Sequence, residues 1–295
     1  MIFVIIIFIL GLVIGSFINA LEYRITEKKT MAGRSFCPHC KHQLAWYDLF
    51  PLLSFAFLGG KCRYCKKKIS WQYPLVELGS GFTFVGVLLS SQFATVCDFT
   101  KGFFGSSLPF LSLYKLSQYK YDFFLFSGAK MFLTLAIFSV LILLALHDAK
   151  TGYILSLYVY VAAFLALVLL LLGYPGGASS TDMIAYYVPY LWSAIVPASI
   201  LFSLYFFSKG KWMGAGDSEL AVLMGLFLGF PSVLVSFYFA FIVGSIWSLF
   251  LIYVLKKAKM QSAVPLGPFL VLGVYVAYFF GTQLIDIYFK IFLGA

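Results

Sequence analysis

MIFVIIIFILGLVIGSFINAL, residues 1–21, holds no charged side chain, and that single run decides the class of fold. At 1.5 Å per residue a helix of this length is about 30 Å long, which matches the hydrocarbon core of a bilayer. The segment has neither a basic n-region nor an A-x-A cleavage site, so it reads as a retained span rather than a signal peptide. The rest of the chain agrees with it. The 295 residues are 62% hydrophobic and 20% aromatic, only 11% are charged, and the mean hydropathy is +0.96. A soluble core of this size has no use for 34 phenylalanines. The expected fold is an all-α polytopic membrane protein.

The net charge of +10 would suit a nucleic-acid binder, but its placement excludes that partner. Lys and Arg gather beside the ends of apolar runs, and ten of the 21 lie within residues 22–74. The positive-inside rule puts this loop in the cytoplasm. A basic loop beside the membrane also favours anionic lipid.

From that anchor the chain threads through about eight transmembrane helices, near 1–21, 75–96, 128–147, 153–173, 187–207, 218–230, 232–255 and 264–289. Both termini then lie outside, and 16 of the 21 basic residues lie inside. Residues 97–127 read as an outer loop with a short interfacial helix. The sixth span, ending before Pro231, is too short to cross alone and must be tilted, extended or re-entrant. The organisation is a first span at 1–21, a cytoplasmic loop at 22–74 and a seven-span domain at 75–295.

Within the loop stand Cys37-Pro-His-Cys40 and Cys62-Arg-Tyr-Cys65. Two C-x-x-C turns at this separation point two thiolate pairs at one tetrahedral ion, so Cys37, Cys40, Cys62 and Cys65 are the expected ligands of a structural zinc. Disulfides are disfavoured in a reducing compartment. The loop has too few aliphatic residues to fold without such a cross-link. His39 and His42 are either substitute ligands or solvated loop residues, and Cys97 reads as a small apolar filler.

Of the 11 acids, Asp148, Asp217 and Glu219 sit at inner membrane boundaries. Desolvating a carboxylate is costly, so a role is expected there. Two aspartates at one membrane face can share a proton, one ionised and activating a water, the other protonated and polarising a scissile carbonyl. The alternatives are a helix N-cap at Asp217, a proton-coupled transporter using both acids as carriers, and a non-catalytic scaffold whose loop binds a cytoplasmic partner. His147 is either a further proton carrier or structural. Gly214 and Gly216 read as a supporting turn that lets the backbone pack closely and take positive φ near the acid.

Five stretches in order, GSFINALEYRI (15–25), SFCPHCKHQLAWYDLFPLLSFAFLGGKCRYCKKKISWQYPLVELGSG (35–81), HDAKTG (147–152), MGAGDSEL (213–220) and VPLGPFLVLG (264–273), together resemble the bacterial type IV prepilin leader peptidases, membrane aspartic proteases of the G-x-G-D type. The resemblance implies that Asp148 and Asp217 are the catalytic pair and that the four cysteines hold zinc. It implies an enzyme of the bacterial cytoplasmic membrane that cuts a basic leader from prepilin or pseudopilin precursors, after a glycine and ahead of an apolar helix. Many such enzymes also methylate the new N-terminus with S-adenosylmethionine. A presenilin-type protease shares the second motif but not the double C-x-x-C loop.

Two positions depart from the family pattern. Ile154-Leu155 stands where Ile-Pro is usual, which should alter the start of the fourth span. Glu219 stands where Lys is common. Residues i and i+2 of a helix point to different sides, so Glu219 is not expected to join the aspartates, although it removes a positive charge. No glycine-rich turn in the N-terminal half marks a methyl-donor site.

Overall fold

The computed structural model describes residues 2–30, 33–90, 113–174, 180–254 and 264–292. Cys97, Asp98 and the basic cluster Lys256, Lys257 and Lys259 lie outside the described residues. Among those described, regular structure is helical apart from two isolated antiparallel bridges, Phe36 to Gln43 and Lys61 to Lys68. The helices are α1 (Ile2–Thr26), α2 (Leu53–Phe57), α3 (Gln72–Leu89), α4 (Leu113–Thr151), α5 (Ser156–Gly173), α6 (Ser180–Ser208), α7 (Ala215–Leu228), α8 (Ser232–Tyr253) and α9 (Gly267–Phe292), with a 3-10 turn at Trp46–Leu49.

Each of the eight expected spans falls on a helix. Six are long and apolar enough to cross a membrane: α1, Gly128–Thr151 of α4, α5, Asp182–Ser208 of α6, α8 and Gly267–Ile291 of α9. The chain is a multi-pass membrane protein. The other two expected spans, α3 and α7, have 18 and 14 residues. At 14 residues α7 rises about 21 Å, short of a full crossing, as its sequence implied. Residues 113–127, expected as part of an outer loop, instead belong to α4, which runs unbroken for 39 residues. No Pro stands between Leu113 and Thr151, and the helix runs through the Ser127-Gly128 pair.

The chain divides into two compact units, Met1–Leu143 and Leu144–Ala295. In the first, α1 lies against α3. Gly11 and Gly15 let the backbones approach, and Ser80 Oγ donates to the Gly11 carbonyl at 2.7 Å. Asn19 donates to the carbonyls of Gly15 and Tyr73 and accepts from Gln72 Nε2. Without a hydrophobic force between helices in lipid, close small-residue contact and such hydrogen bonds hold the pair together. Glu22 of α1 and Glu77 of α3 are both buried here. Glu77 accepts the Leu52 N–H at 2.9 Å and so ties the loop to α3.

In the second unit α7 is the central helix, packed on α5 and α6 and touching α8 and α9, while α8 and α9 pair along their lengths. Gly225 lets α7 meet the α6 backbone at Ser193 and Ala194, and Ser193 Oγ donates to the Gly225 carbonyl at 2.8 Å. Ala198, Leu201 and Ala221, flanked by Met213 and Phe237, fill the small core beside it. These contacts fix the depth and rotation of α7, and with them the place of Asp217.

Candidate active site and metal centre

The metal centre is built from one short motif used twice. In the first copy Cys37 N–H donates to the His42 carbonyl (3.0 Å), Lys41 N–H to the Cys37 carbonyl (2.9 Å) and Leu44 N–H to the Ser35 carbonyl (2.9 Å). In the second, 25 positions on, Cys62 donates to Lys67 (2.8 Å), Lys66 to Cys62 (3.0 Å) and Ile69 to Gly60 (2.7 Å). Lys41 and Lys66 occupy the same left-handed turn position, with φ of 57° and 58°. Each turn thus offers two thiols on one side. The four Sγ atoms lie within 4.8 Å of one another, with Cys37 and Cys65 at 3.9 Å. A tetrahedral ion at 2.3 Å from each sulfur needs about 3.8 Å between them. The four cysteines can hold a metal ion. His42 instead lies against the Tyr64 ring, and His39 is exposed.

Burial pushes the Cys37 thiol up to about 11, against the backbone N–H groups of Cys40 and His39. At Cys62 burial also acts upward, but the N–H groups of Cys65 and Tyr64 and the thiols of Cys37 and Cys65 outweigh it and bring it down to about 7. Asp48 braces the second turn, accepting from Arg63 Nε at 2.7 Å and from the Tyr64 hydroxyl at 3.3 Å.

Asp148 and Asp217, 69 positions apart in sequence, both lie in the second unit and both are buried. Asp148 sits in the last turn of α4, which closes when Gly152, at φ 67°, donates its N–H to the Asp148 carbonyl. Its Oδ2 accepts the Gly267 N–H at 2.9 Å. Asp217 sits in the first turn of α7, which begins three residues earlier than the sequence pattern indicated. It is not the N-cap. Gly214 holds that place, and Asp217 reaches back so that Oδ2 accepts the Gly214 N–H at 3.1 Å, one half of a capping box. His147 is buried beside Asp148 in α4.

The supporting glycines meet the expectation of close packing at Gly216 but not that of positive φ. Neither Gly214, at φ −78°, nor Gly216 takes a positive φ. Gly214 is extended because it opens a helix. Gly216 is helical, and a Cβ there would stand 2.7 Å from Ile154 Cβ, so its role is close approach. Leu155, where a proline was the family pattern, serves as N-cap of α5, and the helix starts at Ser156. Glu219 points round α7 toward α5, where its Oε1 accepts the Tyr160 hydroxyl at 2.9 Å. Its Oε2 is buried with no hydrogen-bond partner among the described residues. Gly267 was not singled out from sequence. VPLGPF read as a turn and helix start that could line the site, but the separation of 119 positions from Asp148 hid the contact.

Two family models match, one described as the bacterial peptidase A24 N-terminal domain over residues 9–91, the other as the type IV leader peptidase family over residues 135–249. The first covers all four cysteines and the second both aspartates. The chain belongs to the type IV leader peptidase family. Its curated relatives include the prepilin leader peptidase/N-methyltransferase of Bacillus subtilis (strain 168), 27% identical over 291 residues, which are 98% of this chain and 99% of that one. The protein of the same name from Stutzerimonas stutzeri is 27% identical over 310 residues, 96% of this chain and 92% of its own. In Myxococcus xanthus (strain DK1622) a protein of that name is 45% identical over 87 residues, 29% of this chain and 26% of its own. No solved structure matches the chain. The chain is therefore a membrane peptidase.

Proposed function

We propose that this chain removes the basic leader from type IV prepilin and pseudopilin precursors at the cytoplasmic face of the bacterial inner membrane, with Asp148 and Asp217 as an aspartic dyad. One observation carries the reading. Two aspartates distant in sequence are buried at helix ends in one unit, each with Oδ2 committed to a glycine N–H. Their Oδ1 atoms remain for a water and a scissile carbonyl. The ionised aspartate takes a proton from the water, whose oxygen bonds the carbonyl carbon, while its partner protonates the carbonyl oxygen. The C–N bond then breaks and the amine leaves with a proton. The catalytic groups fall within 75–295, and residues 22–74 form the metal-bearing loop. Asp148→Asn and Asp217→Asn, made separately, should each lower precursor processing in membranes about 100-fold or more. Near-parental cleavage by either variant would show that the dyad is wrong. No comparison favours a proton-coupled transporter.

We assign Zn²⁺ to Cys37, Cys40, Cys62 and Cys65. Four thiolates leave no open coordination position, so the ion would join the two turns and take no part in hydrolysis. The exposed Trp46, Phe50, Leu53, Phe57 and Trp71, set among the loop's lysines, support contact of this loop with lipid headgroups. Methyl transfer, the second half of the relatives' names, would require S-adenosylmethionine. A 370 Å³ cavity between α8 and residues 264–269 is lined by Phe241, Leu249 and Leu266 and by serines, without a charged group. It does not fit the ammonium, carboxylate and ribose of that cofactor, and no residue is assigned to it.

A further inference from the structure

The first N–H groups of a helix have no acceptor within the helix, and where they go is a complete accounting question. At the start of α9 the answer is specific. Phe269 and Leu270 both donate to the Leu266 carbonyl at 3.0 Å. Pro268 has no N–H and suits a helix's first turn. That leaves the Gly267 N–H, which leaves its own helix and donates to Asp148 Oδ2 at 2.9 Å.

Backbone freedom does not explain the glycine, since Gly267 has no positive φ. Space does. A Cβ at position 267 would stand 2.6 Å from Asp148 Oδ2, 3.0 Å from its Cγ and 3.1 Å from its Cβ. All three atoms belong to one side chain, so the group that must yield is the carboxylate and not the fold. The other aspartate is held by the same device with more room: a Cβ at Gly214 would meet Asp217 Oδ2 at 3.6 Å, an ordinary contact.

We infer that Gly267 is a positioning residue for Asp148, its N–H fixing Oδ2 and its missing side chain reserving the space in which the carboxylate is held. This rests on the reading of Asp148 and Asp217 as the dyad. Gly267→Ala displaces the carboxylate by about 0.8 Å if ordinary contact is restored, and misplacement on that scale costs about 100-fold in rate. The loss falls on kcat, with KM within about threefold of parental, because the binding surfaces for the precursor are untouched. Gly214→Ala should lose at least about tenfold less than Gly267→Ala.

The test uses the purified full-length chain with a prepilin precursor, single-turnover and steady-state rates, and amide hydrogen exchange at residue 267. Protection of that amide should persist in Asp148→Asn, whose side-chain carbonyl still accepts, and fall in Asp148→Ala. A parental kcat in Gly267→Ala, a loss carried by KM alone, or unchanged protection at residue 267 in Asp148→Ala would overturn the inference. If Gly267→Ala yields too little folded protein for kinetics, the exchange result decides. Failure of the dyad itself is separate, because it would appear as cleavage by Asp148→Asn.

Discussion

Replacing Gly11 by alanine sets two rules against each other, and the sign of the outcome distinguishes them. Helix propensity favours alanine by about 1 kcal/mol, and alanine also makes the span more apolar. The geometry opposes it. A Cβ at Gly11 would lie 2.7 Å from the Ser80 carbonyl oxygen, 2.8 Å from Gly81 Cα and 3.0 Å from Phe84 Cβ, backbone or near-backbone atoms that cannot rotate away. Restoring ordinary contact separates α1 from α3 by about 0.7 Å, and inserting a methyl into such a contact costs about 1–3 kcal/mol. The Ser80 hydroxyl, 2.7 Å from the Gly11 carbonyl, would be carried to about 3.4 Å, where most of a bond worth about 1 kcal/mol is lost. The net is a destabilisation of about 1–3 kcal/mol, or a fall of about 2–8 °C in the thermal midpoint for a chain of this size. Thermal unfolding of the purified protein in detergent, followed by tryptophan fluorescence, measures it. Val13→Ala, on the exposed side of the same helix, should change little. A Gly11→Ala protein as stable as the parent, or more so, refutes the packing argument.

Two further predictions concern the cytoplasmic loop. Zinc binds thiolates, so bound protons compete with it, and apparent affinity should fall as pH falls. Cys37, at about 11, must lose a proton at every working pH, whereas Cys62, at about 7, adds a further one only below neutrality. The fall should therefore steepen by about tenfold per pH unit below pH 7, as read by competition with a chromogenic chelator, and an unchanged slope across pH 7 contradicts the geometry. Leu52 is held at φ 60°, ψ −46° while its N–H bonds Glu77. Leu52→Gly should relieve about 1 kcal/mol of strain and slow amide exchange over residues 46–57; faster exchange there would count against it.

The membrane class, the helical segments and the four-cysteine cluster were legible because each is a local pattern: apolar runs of bilayer length, and paired thiols three positions apart. The sequence also singled out Asp148 and Asp217, since carboxylates at apolar boundaries are rare in such a chain. What it hid is long-range or backbone-borne. The Gly267 N–H belongs to no residue type and leaves no compositional trace. Asp217 looked like a helix mouth because the apolar run opens at Leu220, yet a carboxylate reaching back to Gly214 moves the helix start upstream. The burial of Glu22 and Glu77 was not legible, because a hydropathy profile does not register the packing of α1 against α3. α4 exceeded its expected span because polarity and the Ser127-Gly128 pair, without a Pro, do not end the helix.

The two cysteine turns, related by 25 positions, have a consequence for how the chain comes into being. Neither turn can close the metal site alone. While Cys37 and Cys40 have been made and Cys65 has not, an ion would hold only part of its thiolate set, and the connection from α1 stays an open polymer. When Cys65 emerges, α1 is already about 40 residues upstream and long enough to be in the bilayer. Metal capture would then draw together positions 37 and 65 and shorten the tether just before α3 is made. A bound ion would thereby act as a timing device. It would deliver α3 to α1 at short range, so that Gly11, Gly15 and Ser80 could meet while the remaining spans are still being synthesised.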